Sequence, residues 1–569
     1  MNQLEILDQL KNRSPQDVFI IIFGGCRDFG MNLTGYYNKN RLFLVDCGTR
    51  FTPPWYPGVD RAMPDIDPAV EKLGGIHSYL ITHAHEDHIG ALPYLLKKWP
   101  APIYGTPWSI EIIKDKLTKM AFDISSYNFC TVIPGDRTVT DNFDCEWLHV
   151  NHSVPMSVSL LMVIGGCSIL HSGDFRLDES PLYESSINLN RLKNLAQNGL
   201  DYYLCDSTNA NSESGGTSEK DVFLEIEKVF KQTQGAIFFT TFSSNYWRIR
   251  SALELGEKLG RKIVLVGSGI QKSISLGRKL GLDRQDADSY LEEIDSRQYS
   301  RKKLLFIVSG CQGEHRSALA RIINGEHQHI SLNSEDTLIF SSRAIPGNDI
   351  AIQELISKST KIGAHVITDK TNARIHASGH AYRRELSAIL DILKPRNYIP
   401  IHGAFTQLRA NRQIASELNE SGTKSHCMEN GDILHLKDPD PIKIGTIQFS
   451  ESYIDSWSQM PIPEATVKER IKISTSGLCI ASGIFSFKEE KWIQKPDFEY
   501  LGLHFPETLN LDDFERYLTD IIESDLSLEN KSRNLDHIQL NELLRLKIRR
   551  ELATILIKKP IVKSKFHFL

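Results

Sequence analysis

Residues 80–90 read LITHAHEDHIG, which places four metal-ligand side chains, His83, His85, Asp87 and His88, close together in the chain. Neutral imidazoles and a carboxylate suit Zn²⁺ or a similar divalent cation, and an ion left open to water makes that water a nucleophile near neutral pH. The pattern points to a hydrolase. Tyr79, Leu80 and Ile81 ahead of the cluster predict a buried strand, and residues 89–99 (IGALPYLLKKW) predict a helix. The ligands are therefore expected on the loop between them, at a strand end, where open α/β sheets bind their ligands.

Upstream, residues 18–23 (VFIIIF) form a continuous apolar run into Gly24-Gly25, and 33–37 and 41–45 flank Asn38-Lys39-Asn40, a hairpin signal. The second of these strands ends at Asp46. Downstream, 158–164 and 167–171 are joined by Gly165-Gly166, a loop whose positive φ glycine tolerates. His152 precedes that hairpin and Asp174 follows it, so both are expected at one sheet edge. His402 ends a further strand at 397–401. His152, Asp174 and His402 thus stand at the same kind of strand boundary as the first cluster, and together with it they offer enough ligands for two cations. Asp46 suits the orientation of a ligating imidazole. His380 and Asp206 remain, and a histidine within reach of a carboxylate can be held protonated as a general acid. His376, earlier in the same loop, is read as structural.

From about Gly235 short apolar strands (236–241, 262–267, 304–309, 337–342, 365–368) alternate with helical stretches such as 247–259 and 314–323, which predicts a parallel α/β block. A helix at 385–393, the strand at 397–401 and a helix over 406–421 follow, and Asp438-Pro439-Asp440-Pro441 marks a loop. Beyond Gln459 the chain reads as strand at 470–473 and 478–485, then as a basic amphipathic helix over 539–557. Its Arg545, Lys547, Arg549 and Arg550, with Lys558 and Lys559 beyond it, read as a solvated face ahead of an RNA contact.

A chain of 569 residues is too long for one core. It has no apolar run of membrane-spanning length and no secretory leader pattern, which predicts a cytoplasmic protein without a membrane partner. The nine cysteines are scattered without a C-x-x-C pair, which argues for buried thiols over disulfides or a thiolate site. The net charge of −5 supplies no global field for nucleic acid, so phosphate binding requires a local groove.

The segments LITHAHEDHIGALPYLL, NHSVP, HSGDF, CDSTNA, TFSSN, SGCQGEHRSALARIINGEHQHISL, DTLIFSSRAIPGN, HASGH and YIPIHG, spread over 18–437, resemble the β-CASP group of metallo-β-lactamase-fold nucleases, and within it the ribonuclease J family. The resemblance implies an α/β fold: a metallo-β-lactamase αββα sandwich (1–234, completed by 369–450), an inserted parallel-sheet β-CASP domain (235–368), a linker (451–469) and a small α+β C-terminal domain (470–569). It implies that His83, His85 and His152 hold one cation, that Asp87, His88 and His402 hold a second, and that Asp174 bridges them. Zinc is the first expectation, with manganese or magnesium as alternatives. It sets Asp206 and His380 beside the scissile phosphate and Ser243, Ser244, Asn245, Ser309, Gly310, Gln312 and Ser378 along the RNA cleft. The implied reaction is hydrolysis of single-stranded RNA by a two-metal-activated hydroxide, with His380 as general acid. The implied mode is 5′→3′ exonuclease action on 5′-monophosphate ends, with endonuclease activity beside it, in a homodimer or homotetramer held by the C-terminal domain.

Three positions depart from the family pattern: Met156, where an acidic residue is usual, Ala404, where a Glu is usual, and Cys26-Arg27-Asp28-Phe29-Gly30 in place of a Gly-Glu-Ile-Gly-like turn. None is a proposed ligand. Alternatives to the ribonuclease are a β-CASP nuclease acting on DNA, a small-ester hydrolase, for which the long insertion has no use, and a catalytically silent RNA-binding subunit, which has no need of a complete ligand set.

Overall fold

The computed structural model describes residues 3–11, 13–213, 216–282, 290–418, 422–437, 440–532 and 536–569. Asp438 and Pro439 of the expected loop, and Ser421 at the end of an expected helix, fall outside these. The chain divides into one compact unit of Met1–Phe51 and Met63–Ser450, and another of Thr52–Ala62 and Glu451–Leu569.

Strand Val18–Gly24 shows how the first unit is built. Phe19, Ile21 and Phe23 enter one core with residues of the helices Gln3–Lys11, Asp67–Leu73, Leu92–Lys98 and Pro107–Lys119, whereas Val18, Ile20 and Ile22 enter a second core shared with the opposing sheet. A strand between two buried layers has no solvent face, which is why the segment is apolar throughout. Its sheet runs in the order Ile442–Thr446, Asp432–Leu436, Val18–Gly24, Leu33–Asn38, Arg41–Val45, Ile76–Leu80, Ile103–Gly105, Phe129–Thr131. The facing sheet runs Lys424–Ser425, Asn397–Ile401, Tyr202–Asp206, Cys167–His171, Val158–Ile164, Asp144–His149, Arg137–Val139. Trp147, Leu160, Met162, Ile169, Leu204 and Ile399 meet the first sheet from this side. Its outer face packs on helices Leu189–Gln197, Arg383–Leu393 and Phe405–Glu417. The result is the αββα sandwich. The two hairpins form as expected, with φ of 49° and 58° at Lys39 and Asn40 and of 55° and 88° at Gly165 and Gly166.

The insertion is a parallel sheet in the order Lys262–Val266, Leu304–Val308, Ile237–Thr240, Thr337–Phe340, His365–Ile367, with helices on both faces. The loops following Thr240, Val308 and Phe340 emerge side by side at the carboxyl ends of adjacent strands, the edge at which such sheets bind ligands. The helix expected over 314–323 is shorter, Ala318–Ile323, because Ser317 caps it by accepting the Ala320 N–H.

A buried ion pair anchors the insertion. Arg248 is fully buried and grips Glu219 Oε1 at 2.8 Å and Oε2 at 2.9 Å, and it also donates to Ser341 Oγ at 2.6 Å. Arg176, two residues from Asp174, lies 3.3 Å from the same Glu219. Removing one partner strands a buried charge, so Arg248→Ala is expected to lower stability by about 3–5 kcal/mol. Calorimetric unfolding will read this as a depressed melting temperature.

The second unit has a three-stranded sheet, Lys491–Leu501, Leu478–Ser486, Ile561–Phe568, covered by helices Leu511–Ser532 and His537–Ile555. Two expectations change here. Residues 451–469, expected as a linker, carry strands Glu451–Asp455 and Pro461–Pro463 and the start of a helix. The strand expected at 470–473 is the later part of that helix, Glu464–Ser476. Four alternating residues cannot distinguish a strand from a helix turn, and Val467 and Ile471, spaced four apart, pack together on Tyr453 and Val59. Arg545 pairs with Glu542, Lys547 lies 3.5 Å from Asp525, and Arg549 donates to the Pro560 carbonyl, so these three half-exposed cations have partners within the chain. No described helix is long and apolar enough to cross a membrane.

Candidate metal centre

Strand ends deliver the ligating side chains. Asp46 follows Arg41–Val45 with φ of 58°, and His402 follows Asn397–Ile401 with φ of 55°. Left-handed backbone in non-glycine residues is strained and persists where the surroundings fix it. Asp46 is fixed by accepting from Thr82 N at 2.8 Å and Thr82 Oγ1 at 2.7 Å, and its Oδ2 holds His88 Nδ1 at 2.7 Å. Asp87 and His88 lie in a short helical turn, Glu86–Ile89, so the cluster is loop for His83 and His85 and helix for the other two. That turn lies directly against the backbone of Gly48, where a Cβ would come 1.6 Å from the Asp87 carbonyl oxygen. Only glycine fits there.

The candidate ligands converge in overlapping groups: His83, His85, His152 and Asp174; Asp87, His88, Asp174 and His402; and Asp174, Asp206, His380 and His402. Within each group the ligand atoms lie within 4.8 Å of one another. In the first, His85 Nδ1 is 3.2 Å from both His83 Nε2 and His152 Nε2. In the second, His88 Nε2 is 3.3 Å from Asp174 Oδ1, and His402 Nε2 is 3.3 Å from Asp87 Oδ2. Asp174 belongs to all three groups. Its buried Oδ2, 3.4 Å from His83 Nε2, has no hydrogen-bond donor among the described residues. An orphan carboxylate oxygen among imidazole nitrogens is costly unless a cation meets it, and this donor set fits borderline divalent ions.

Electrostatics divides the histidines. Burial pushes His83 and His152 well below the ordinary imidazole range and His85 down to about 4, so these three are neutral donors. Burial acts on His402 in the same sense, but the carboxylates of Asp174, Asp87 and Asp206 outweigh it and raise its pKa to about 10. His88 is likewise raised, Asp174, Asp87 and Asp46 overcoming burial. The second group is therefore the richer in negative charge.

His380 stands beside both groups. Its Nδ1 is 2.8 Å from Asp206 Oδ2, and Asp206 Oδ1 accepts from Thr208 N at 2.8 Å and Thr208 Oγ1 at 2.7 Å. The His380 side chain is 20 % exposed against 1 % for Asp174, which leaves it access to a substrate. Burial lowers its pKa, but Asp206 and Asp174 outweigh this and hold it above the ordinary value. Gly379 lets this loop approach the centre: its carbonyl meets His152 Nδ1 at 2.7 Å, and a Cβ at 379 would lie 2.7 Å from the His152 ring.

The residues expected along an RNA cleft divide. Ser244 Oγ lies 3.1 Å from His85 Nε2, and Ser378 Oγ accepts from Asn209 Nδ2 and from His380 N–H. Ser243 lies against Gly269, and Ser309 and Gly310 form the turn after Leu304–Val308, Gly310 with φ of 112°. Asn245 Oδ1 caps helix Tyr246–Lys258, and Gln312 braces the next loop by donating to the Arg343 carbonyl and accepting from Ile345 N–H. The Asn245 cap uses the acceptor Oδ1 and not the Nδ2 donor that a phosphate would meet, whereas Gln312 meets the backbone through both Nε2 and Oε1. His376 Nδ1 lies 3.2 Å from the Ser341 carbonyl. Sequence reasoning missed Thr82 and Asn32, whose Nδ2 is 3.3 Å from Asp87 Oδ2, because such polar residues carry no spacing signal. Met156 packs on the cluster of Trp108, Val154, Tyr246 and Trp247, an apolar seat with no use for a carboxylate. Ala404 begins helix Phe405–Glu417 without a side-chain cap, and Cys26 N–H donates to Asn430 Oδ1 at 2.9 Å.

Comparison with known proteins places these features. Residues 29–267 match the metallo-beta-lactamase superfamily, 234–359 the beta-CASP domain of ribonuclease J, and 370–426 the Zn-dependent metallo-hydrolase RNA specificity domain. Ribonuclease J of Mycolicibacterium smegmatis is 32% identical over 468 residues, covering 82% of this chain and 83% of that protein. Ribonuclease J of Mycoplasma pneumoniae is 30% identical over 539 residues, covering 94% and 93%. That of Helicobacter pylori strain 26695 is 31% identical over 493 residues, covering 86% and 71%. A crystal structure of an Enterococcus faecalis protein of unknown function shares the fold, with a TM-score of 0.54, 14% identity, 74% of this chain and 100% of that one covered.

Proposed function

The chain belongs to the ribonuclease J family and is a metal-dependent ribonuclease, and we propose that it removes nucleotides 5′→3′ from single-stranded RNA with 5′-monophosphate ends, using two divalent cations. The observation that carries this reading is the sharing of Asp174 among three converging groups, with its unpartnered oxygen at their centre. In this reading His83, His85, His152 and Asp174 hold one ion, and Asp87, His88, His402 and Asp174 hold the other. Zinc is favoured, because imidazoles dominate the donor set. Bound there, the ions supply a nucleophile from water and counter the charge gathering on the phosphoryl oxygens. The protein's own part is positioning and proton transfer. Thr82 and Asp46 orient His83 and His88, and Asp206 keeps His380 protonated and aimed. His380 gives its proton to the departing 3′ oxygen, so each product carries a 5′ phosphate.

The division that fits this reading is 1–51, 63–234 and 369–450 for the sandwich, 235–368 for the insertion and 451–569 with 52–62 for a C-terminal domain through which copies associate as a dimer or tetramer. Exposed Ile538 and Leu546 on helix His537–Ile555, with Ile557 just beyond it, support that association. The test is a product ladder from RNA labelled at its 3′ end, with metal content measured on the same preparation. Stepwise shortening of 5′-monophosphate RNA, lost on chelation and restored by zinc or manganese, is expected. Internal cleavage alone, or preferential loss of a matched DNA strand, would overturn the proposed mode.

A further inference from the structure

One contact at this centre joins the ligand loop to the inserted domain: His85 Nε2 lies 3.1 Å from Ser244 Oγ, between residues 159 apart in sequence. Ser244 belongs to the inserted domain. It follows the central strand Ile237–Thr240 and precedes helix Tyr246–Lys258, and its position is set from both sides. Asn245 accepts the Arg248 N–H at 3.1 Å, its own N–H donates to the Phe242 carbonyl at 3.0 Å, and Tyr246 N–H donates to the Ser244 carbonyl at 2.9 Å. The helix that follows is seated by Tyr246 and Trp247 against Trp108 and Val154 of the sandwich, with Ala84 of the ligand loop packed on the same cluster. Ser244 is therefore presented to His85 by a rigid turn.

His85 directs Nδ1 toward His83 Nε2 and His152 Nε2, both at 3.2 Å, so the nitrogen available to a cation is Nδ1 and the proton of the neutral ring resides on Nε2. That N–H needs an acceptor, and Ser244 Oγ is the one it meets. The other two imidazoles of this group have their partners within or beside the sandwich: Thr82 for His83 and the Gly379 carbonyl for His152.

We propose that Ser244 is a positioning residue of the metal centre, fixing the tautomer and angle of His85, so that the three-histidine position is completed only when the inserted domain is seated on the sandwich. This rests on the two-cation reading above. Ser244 then acts on the metal through His85 and not on the RNA phosphate, and by linkage a bound cation stabilises the seating of the insertion in return.

The test uses full-length protein stripped of metal and zinc titrated against a chromophoric chelator, with no RNA present. Ser244→Ala is expected to weaken one of the two zinc positions by about 10–100-fold and leave the other unchanged. Ser244→Thr, which keeps the oxygen, should restore it. Zinc affinities equal to wild type in Ser244→Ala, with only a raised KM for 5′-phosphorylated RNA, would overturn the proposal and return Ser244 to phosphate binding. A loss that threonine does not restore would assign the effect to loop packing and overturn it as well. If wild type itself binds no zinc, the two-cation reading fails first, which separates the two outcomes.

Discussion

Asp174→Ala is expected to empty both cation positions together and to reduce RNA cleavage by roughly a thousandfold or more, since each ion contributes several kcal/mol to the transition state. Among the described residues Asp174 alone belongs to every converging group, with Oδ1 beside His88 and His402 and Oδ2 beside His83. Removing it takes one ligand from each position and deprives His88 and His402 of the first of the carboxylates that raise their pKa values. By contrast, His152→Ala touches only the first group and His402→Ala leaves the first group intact. Metal analysis of the three variants therefore distinguishes a shared carboxylate from an ordinary ligand. Near-complete loss in Asp174→Ala beside half loss in the histidine variants is the expected pattern, and equal losses in all three would refute the sharing.

How much of this was legible beforehand depended on the range of the interaction. Ligand chemistry at strand ends is local: an apolar run marks the strand, and a histidine or aspartate that breaks it marks the edge. Thus His83, Asp174 and His402 were found from short windows, although they fold together from distant parts of the chain. The inserted sheet was legible for the same reason, because strands such as Leu304–Val308 are buried on both faces and read as unbroken apolar runs. Where one short segment serves two periodicities the reading failed, as at residues 470–473, which belong to a helix. Side-chain partners were least legible. Nothing in TFSSN states that Asn245 will cap a helix while its neighbour Ser244 reaches a ligand histidine, since that choice is made by the packing of Tyr246 and Trp247 on Trp108. Asn32 and Thr82 escaped for the same reason.

His380→Ala should keep its full metal content yet cleave about 10²–10⁴-fold more slowly, the usual contribution of a general acid. His380 is close enough to Asp174 to belong to a converging group, so a ligand role and a proton-donor role must be separated by experiment. Three observations favour the donor. Its Nδ1 is engaged by Asp206 at 2.8 Å, against 3.8 Å for Asp174. Asp206 is in turn held by both donors of Thr208, an arrangement that orients an imidazole. The His380 ring is also more exposed than Asp174, as a donor to a bound leaving group must be. The sign of the pH effect follows. A carboxylate beside an imidazole favours the charged form and raises its pKa, so the protonated donor persists further into alkaline pH, and kcat should fall only as pH rises through that raised value. Asp206→Asn removes the charge but keeps the shape, and the alkaline fall of kcat should move to lower pH with metal content unchanged. Loss of metal in His380→Ala would place His380 among the ligands instead, and loss in Asp206→Asn would place Asp206 there. An unshifted alkaline limb in Asp206→Asn would show that the proton comes from another group.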